Sequence, residues 1–324
     1  MITARTTGTD RGTSASYQYL FGPVNSRRLG ISLGVDPVPF KTCTLNCAYC
    51  ECGATTRETL ERREYVPARS LISELDRFLE NRPHLDYITF AGSGEPTLNS
   101  AMGTVVRHLK EHYPHYRTAL LTNSTLFGLP EVRQDASLFN LVLPSLDAVS
   151  EKAFSRLNRP ARGLGAHDIV EGLLAFAREY TGTMWVEIFI APGINDTDAE
   201  ISLLKDVLKT IAPARVQLNS LDRPGACPSI KPATPQLLAD IGTRLYPLPV
   251  EIVSRAQPPT LTEAAATDLE GKILPLLKRR PCTLEDLAVS CRCEIRQLRS
   301  VLKHLLKQGR IQETELSGKT FYRC

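Results

Sequence analysis

Apolar, β-branched runs recur along the chain, and each ends in small or polar residues: Leu29–Val35, Tyr87–Ala91, Thr118–Asn123, Asn140–Ser145, Trp185–Ala191 and Arg215–Asn219. Between them lie stretches with apolar residues at helical spacing: Ser70–Glu80, Ser100–Glu111, Gly165–Glu179, Asp198–Thr210 and Thr234–Leu245. Strand alternating with helix predicts an α/β protein with a parallel sheet and helices outside it. Six such units, without a strong seventh and eighth, suggest an incomplete barrel. A doubly wound open sheet carries the same local signal, so periodicity does not separate the two.

Near Pro258-Pro259 the pattern changes. Residues Thr262–Leu277 read as a helix stopped by Pro281, Thr283–Val289 as a short second helix, and Glu294–Gln308 as a third. The third gathers Ile295, Leu298, Val301, Leu302, Leu305 and Leu306 on one face, and Gly309 ends it. A hairpin, Arg310–Glu315 with Lys319–Tyr322, turns at Ser317-Gly318. Three helices and a hairpin are the order of a winged helix-turn-helix. The expected organisation is a disordered tail over 1–17, a large domain over 18–257 and a winged-helix-like domain over 258–324. The tail, MITARTTGTDRGTSAS, lacks the apolar core of an export signal. No apolar run approaches the ~18–20 residues that span a bilayer. Both point to the cytoplasm.

Charge sharpens the division. Lys and Arg number 39 against 35 Asp and Glu, and residues 261–324 hold 12 of the former and 8 of the latter. The excess therefore lies wholly in the small domain, which suits a polyanion partner or a solvated lysine-rich surface. Nine cysteines without an export signal argue against a disulfide framework, since the count is odd. Four of them, Cys43, Cys47, Cys50 and Cys52, fall within ten residues.

The first three of these are spaced C-x3-C-x2-C directly after the first predicted strand. Three thiolates on a short loop can wrap one face of a cubane iron–sulfur cluster and leave one iron open. Other readings are three buried cysteines or a zinc site that recruits Cys52. The next strand ends in Gly92-Ser93-Gly94-Glu95-Pro96, where glycines let backbone approach a ligand and Glu95 can accept from an ammonium or start a helix. Later strands end at Asn123, at Ser145 and Asp147, and at Ile194, positions that suit either a site or a helix cap. Asn219 and Arg223 follow the sixth strand and are candidates to face a substrate; Arg27 and Arg28 are candidates to clamp a phosphate or carboxylate.

With Tyr49 ahead of the last cysteine, the loop resembles the C-x3-C-x-aromatic-C hallmark of the radical S-adenosylmethionine (SAM) superfamily. The resemblance covers residues 21 to 255 and implies a partial (β/α)6 barrel. It implies a 4Fe–4S cluster on Cys43, Cys47 and Cys50, and SAM held by Tyr49, Gly92, Ser93, Gly94, Glu95, Asn123, Ser145, Asp147 and Ile194. It also implies an electron donor of the flavodoxin or ferredoxin type, and reductive cleavage of SAM for hydrogen abstraction from a substrate, with RNA or another macromolecule as the candidate. The run Phe21–Asp36 resembles proteins related to the wyosine-type tRNA tricyclic-base synthases. Those carry a second cluster on upstream cysteines, whereas no cysteine here precedes Cys43. An iron–sulfur sensor that binds DNA and a radical activase of a partner protein are the alternatives. The small domain either offers Arg292, Arg296, Arg299 and Lys303 of its third helix, with Arg310 and Lys319 of its wing, to nucleic acid, or docks on a protein or over the barrel mouth. Its Cys282, Cys291 and Cys293 are expected as core thiols ahead of a metal site.

Overall fold

A computed structural model describes residues 17–253, 269–291 and 293–324. Residues 1–16 of the expected tail, the Pro258-Pro259 junction, the start of the helix expected from Thr262, and Arg292 lie outside the described residues. Strand β1 (Leu20–Ser26) pairs antiparallel with β2 (Gly30–Val35). A short parallel pair, β3 (Thr42–Cys43) with β4 (Arg57–Glu58), closes the cysteine loop. From β2 the main sheet continues through β5 (Tyr87–Phe90), β6 (Thr118–Thr122), β7 (Leu141–Pro144), β8 (Thr183–Phe189), β9 (Arg215–Asn219) and β10 (Val250–Ile252), each parallel to the last. Spatial order follows chain order without a reversal. A doubly wound sheet reverses at a switch point. This order shows no such reversal.

The six anticipated strands are present within two residues of their expected bounds. The sheet adds an antiparallel edge, β1, and a seventh parallel strand, β10. The latter is three residues long, with Glu251 and Ile252 exposed, too short to show a period. Strands β5 and β7 are buried at every position, as parallel strands covered on both faces must be.

Helices α1 (Ala68–Leu79) and α2 (Met102–His112) precede two short helices, α3 (Pro130–Ala136) and α4 (Glu151–Leu157). Helices α5 (Ala166–Glu179), α6 (Asp198–Ile211) and α7 (Pro235–Arg244) complete the layer. Helix α1 buries Leu71, Leu75 and Leu79, one turn apart, and α6 buries Ile201, Leu204, Leu208 and Ile211. Each such side chain contributes roughly 1.5–3 kcal/mol on leaving water. The α6 start is set by Thr197, whose hydroxyl accepts from the Glu200 amide at 3.2 Å.

The C-terminal residues form α8 (Leu269–Arg279), α9 (Leu284–Cys291) and α10 (Ile295–Lys307), then the hairpin β11 (Gln312–Leu316) and β12 (Lys319–Arg323). Ser317 and Gly318 both have positive φ, 51° and 72°, as a tight two-residue hairpin turn requires. Ile273, Leu277, Leu287, Leu298, Leu302, Leu305 and Ile311 make a separate core, and Cys282, Cys291 and Cys293 are buried within it. Cys282 also exchanges backbone hydrogen bonds with Tyr322 at 2.8 and 2.9 Å. Leu316 of the hairpin packs against a cluster of the large domain that includes Ala48, Phe189 and Leu221. Among the described residues no helix is long and apolar enough to cross a membrane.

Candidate functional site

Backbone bonds tie the cysteine loop on both sides. Ala48 donates to the Leu157 carbonyl at 2.8 Å and accepts from the Cys227 amide at 2.8 Å, and Cys50 donates to the Cys47 carbonyl at 3.1 Å. None of the cysteines is in a disulfide. Each of Cys43, Cys47 and Cys50 receives one side-chain N–H from outside the motif. Asn123 Nδ2 donates to Cys43 Sγ at 3.5 Å, Asn158 Nδ2 to Cys47 Sγ at 3.6 Å and Lys41 Nζ to Cys50 Sγ at 3.1 Å. Burial pushes the Cys43 thiol up to about 12 and Cys47 well up. The Cys52 thiol, with the Lys41 ammonium, holds Cys50 down at about 6 against its burial, and the same contact pushes Cys52 up.

Lys41 carries the test of whether these residues fit a cluster. It is 2% exposed. A buried ammonium needs an anion beside it, and the side-chain contact recorded for Lys41 is the Cys50 sulfur. Burial would depress its pKa, yet Cys50, with Cys52 and Cys43, outweighs burial and holds it raised. Cys50 therefore sits where anionic sulfur is accommodated. Among the described residues no three His, Cys, Asp or Glu side chains group around a single ion. A cubane cluster asks for something else, because each thiolate meets a different iron. The donor set fits a 4Fe–4S cluster better than zinc.

The glycine-rich turn wraps this loop. An added Cβ on Gly94 would lie 2.0 Å from the Thr42 carbonyl oxygen, so only glycine allows the approach through which Glu95 N donates to that oxygen at 3.1 Å. Gly92 has φ 154° and faces the Asp36 carboxylate, where a Cβ would come within 2.3 Å. Ser93 donates its hydroxyl to that carboxylate at 2.9 Å. Glu95 is turned inward and is 2% exposed. One oxygen accepts from the Thr97 amide at 3.0 Å, the Thr97 hydroxyl at 2.6 Å and the Thr122 hydroxyl at 2.7 Å; the other accepts from the Asn123 amide at 2.8 Å. Burial raises its pKa against these bonds. Glu95 thus caps the turn Pro96–Leu98 and binds it to the end of β6.

Asp147, 4% exposed, is a second hub. It accepts from the Tyr49 hydroxyl at 2.5 Å, Asn158 Nδ2 at 2.7 Å and the Phe189 amide at 2.8 Å. Burial raises its pKa to about 6. The Tyr49 ring stacks on Phe189 at 3.9 Å, and Ile194 packs beside them. Asn123 also donates to the Thr44 hydroxyl at 2.8 Å. The Ser145 carbonyl accepts from Ser124, and Ser145, Asn123 and Asp147 surround a void of about 10 Å³. The anticipated SAM residues thus converge on the loop. Tyr49 and Gly92, with Cys50, line the large cavity. Glu95, Asn123 and Asp147 hydrogen-bond the loop and strand ends together.

That cavity, about 850 Å³, opens beside Cys50 and is walled by β1, the ends of β8 and β9, and α9 of the C-terminal module. Arg27 pairs with Asp222 at 3.2 Å and Arg28 with Glu187. Arg223, 6% exposed, donates to the Pro281 carbonyl at 2.7 Å and to Asp286 at 2.5 Å, and lies 3.6 Å from Glu51. It therefore joins the residue after Cys50 to the N-terminus of α9. Arg279 stacks over Phe21 and approaches Asp36 at 3.9 Å. Of the wing cations expected at phosphates, Arg310 pairs with Glu270 and Lys319 lines the cavity. Lys41, Asn158, Glu187, Asp222 and Asp286 were not anticipated. Only Lys41 carried a signal, as a lysine two residues before the first cysteine.

The chain matches the Radical SAM superfamily description over residues 38–204. It is 31% identical over 307 residues to a Brachyspira hyodysenteriae protein named GTPase Obg, but spans only 45% of that protein's length. It is 30% identical over 310 residues to a UPF0026 protein of Methanocaldococcus jannaschii, covering 93% of this chain and 94% of that one. Its fold is similar to a radical SAM methyltransferase from Sphaerobacter thermophilus, with TM-score 0.54, 19% identity, and coverage of 68% of this chain and 65% of that one. Members of the matched superfamily use a 4Fe–4S cluster and SAM. With three unbridged thiols on the matched segment and a relative aligned nearly end to end, the chain belongs to the radical SAM superfamily and groups with its UPF0026 members.

Proposed function

We propose that this protein is a radical SAM enzyme whose cluster sits on Cys43, Cys47 and Cys50. The observation that carries it is the loop itself: three free thiols, each given an N–H donor, clamped by the glycine turn. When bound and reduced, the cluster supplies one electron that breaks the SAM sulfonium bond, and the resulting 5′-deoxyadenosyl radical takes hydrogen from a substrate. The chain's own residues orient and enclose. Gly92 and Tyr49 present cavity surface beside Cys50, and the hydrogen bonds of Glu95 and Asp147 fix the surrounding strand ends. We read the sequentially ordered sheet as a partial barrel and the C-terminal module as a winged helix-turn-helix. Its α9 and wing tip cover the barrel mouth, which keeps water from a reactive intermediate.

The cavity lies within the range of small-molecule sites, about 300–1,000 Å³. Such a space suits a small polar substrate, or one unit of a macromolecule such as RNA. Arg27 and Arg28, in the run Phe21–Asp36, line this cavity. A flavodoxin- or ferredoxin-type donor supplies the electron, and the reducing cytoplasm suits the free thiols.

The experiment is anaerobic reconstitution with iron and sulfide. Wild-type protein takes up one 4Fe–4S cluster whose reduced spectrum changes on adding SAM, and Cys52→Ser does the same. Full cluster loading in Cys47→Ser would sink the assignment.

A second reading, nucleic-acid binding, rests on α10. Arg296, Arg299, Lys303 and Lys307 are exposed along one face, and none forms an ion pair among the described residues. Binding of RNA or DNA that weakens steeply with salt, and less steeply after alanine replaces Arg296, Arg299 and Lys303, supports it. No binding at ~50 mM salt removes it.

A further inference from the structure

Three nitrogen donors meet three cysteines one to one, and they come from three separate places. Lys41 precedes the loop, Asn123 ends β6, and Asn158 follows α4. Each is held in place by a bond of its own. Asn123 donates to Thr44 and accepts from the Thr125 hydroxyl at 2.7 Å, Asn158 donates to Asp147 at 2.7 Å, and the Lys41 carbonyl accepts from the Arg57 amide at 3.0 Å. Lys41 and Asn158 are 2% and 4% exposed. Donors this buried are shielded from bulk water, and a lysine so placed brings a whole positive charge against one sulfur.

We propose that Lys41, Asn123 and Asn158 set the reduction potential of the cluster, with Lys41 the dominant member. The physical ground is that reduction adds one negative charge to the cluster and its sulfurs. An N–H or ammonium aimed at those sulfurs stabilises the reduced form more than the oxidised one, which raises the potential. The two amides act as dipoles. Lys41 acts as a full charge at 3.1 Å and in a buried place, where screening by water is weakest. They touch the cluster's ligands and not the substrate, so they are positioning and tuning residues. The inference rests on the cluster reading above.

The test is a redox titration of the reconstituted full-length protein, followed by the electron paramagnetic resonance signal of the reduced cluster. Iron and sulfide content are measured on the same samples. Lys41→Met is expected to load iron as wild type does and to lower the equilibrium constant for reduction at least tenfold, about 59 mV for one electron. Lys41→Arg, which keeps charge and donor, should stay within twofold of wild type. Asn123→Leu should shift in the same direction by less than Lys41→Met. A Lys41→Met protein with full iron and an unchanged potential overturns the proposal. If Lys41→Met loses its iron, Lys41→Gln decides. It keeps a neutral donor and loses the charge, so a downward shift supports the proposal and an unchanged potential overturns it. A wild-type protein that takes up no cluster would instead overturn the reading on which the proposal stands.

Discussion

Replacing Arg223 by methionine should loosen the C-terminal module without disturbing the sheet. The guanidinium is 6% exposed and donates to the Asp286 carboxylate at 2.5 Å and the Pro281 carbonyl at 2.7 Å. A hydrogen bond to a charged group contributes about 1.5–3 kcal/mol. The Asp286 side chain is 26% exposed, so water recovers part of that when the partner is lost. The net loss is about 2 kcal/mol. At 1.4 kcal/mol per factor of ten, the module should open roughly 30-fold more often. Leu316 against Phe189 and Arg279 over Phe21 remain, so the module does not detach. Native-state hydrogen exchange reads this directly. Amides of α9 should exchange about 30-fold faster in Arg223→Met, and amides of β5, β6 and β7 should keep their rates. Unchanged exchange in α9 would refute the reasoning. Equal acceleration in the sheet would show that Arg223 supports the whole fold and not the closure.

Acid should loosen the same contact. Burial alone would raise the Asp286 carboxyl, but the bond and charge of Arg223, with the Thr283 amide and Arg280, outweigh it and hold the folded value below the ordinary 3.8. A depressed folded value means stability that is present above 3.8 and lost as pH falls through the folded value. Protection of α9 amides, taken relative to the intrinsic exchange rate at each pH, should therefore fall below pH 3.8 in wild type and lose that dependence in Arg223→Met. Gly94→Ala puts a methyl 2.0 Å from the Thr42 carbonyl oxygen and 2.8 Å from a Val38 methyl. Urea unfolding should show a loss of about 1–3 kcal/mol, and an unchanged midpoint would mean that the turn has slack. Tyr49→Phe keeps the stack on Phe189 and removes one donor from buried Asp147, so it should destabilise by roughly 1.5–3 kcal/mol in the same assay.

Much of this was legible because local patterns agree with the global fold. The runs Tyr87–Phe90 and Leu141–Pro144 are apolar throughout and bounded by polar ends, so they announce buried parallel strands. Helices α3 and α4, seven residues each, are too short to show a period. Strand β1 reads as loop because Gly22, Pro23 and Asn25 mask its alternation. At the site, the cysteine spacing and the glycine turn were visible, since backbone approach demands particular residues at fixed offsets. What Glu95 and Asp147 do was not. A buried carboxylate does not announce its partners in local sequence; the fold brings Thr122 and Asn123 to Glu95, and Tyr49 and Phe189 to Asp147. The ion pairs of Arg223 with Asp286 and of Arg27 with Asp222 join distant parts of the chain, so no local pattern announces them.

The central claim is that these three cysteines support reductive cleavage of SAM. The direct measurement is mass spectrometry for 5′-deoxyadenosine after anaerobic incubation of the cluster-loaded protein with dithionite and SAM. The account predicts 5′-deoxyadenosine from wild type and from Cys52→Ser, and none from Cys43→Ser, Cys47→Ser or Cys50→Ser. A fully loaded, reduced wild-type protein that leaves SAM intact, or a Cys50→Ser protein that cleaves it as fast, would contradict it.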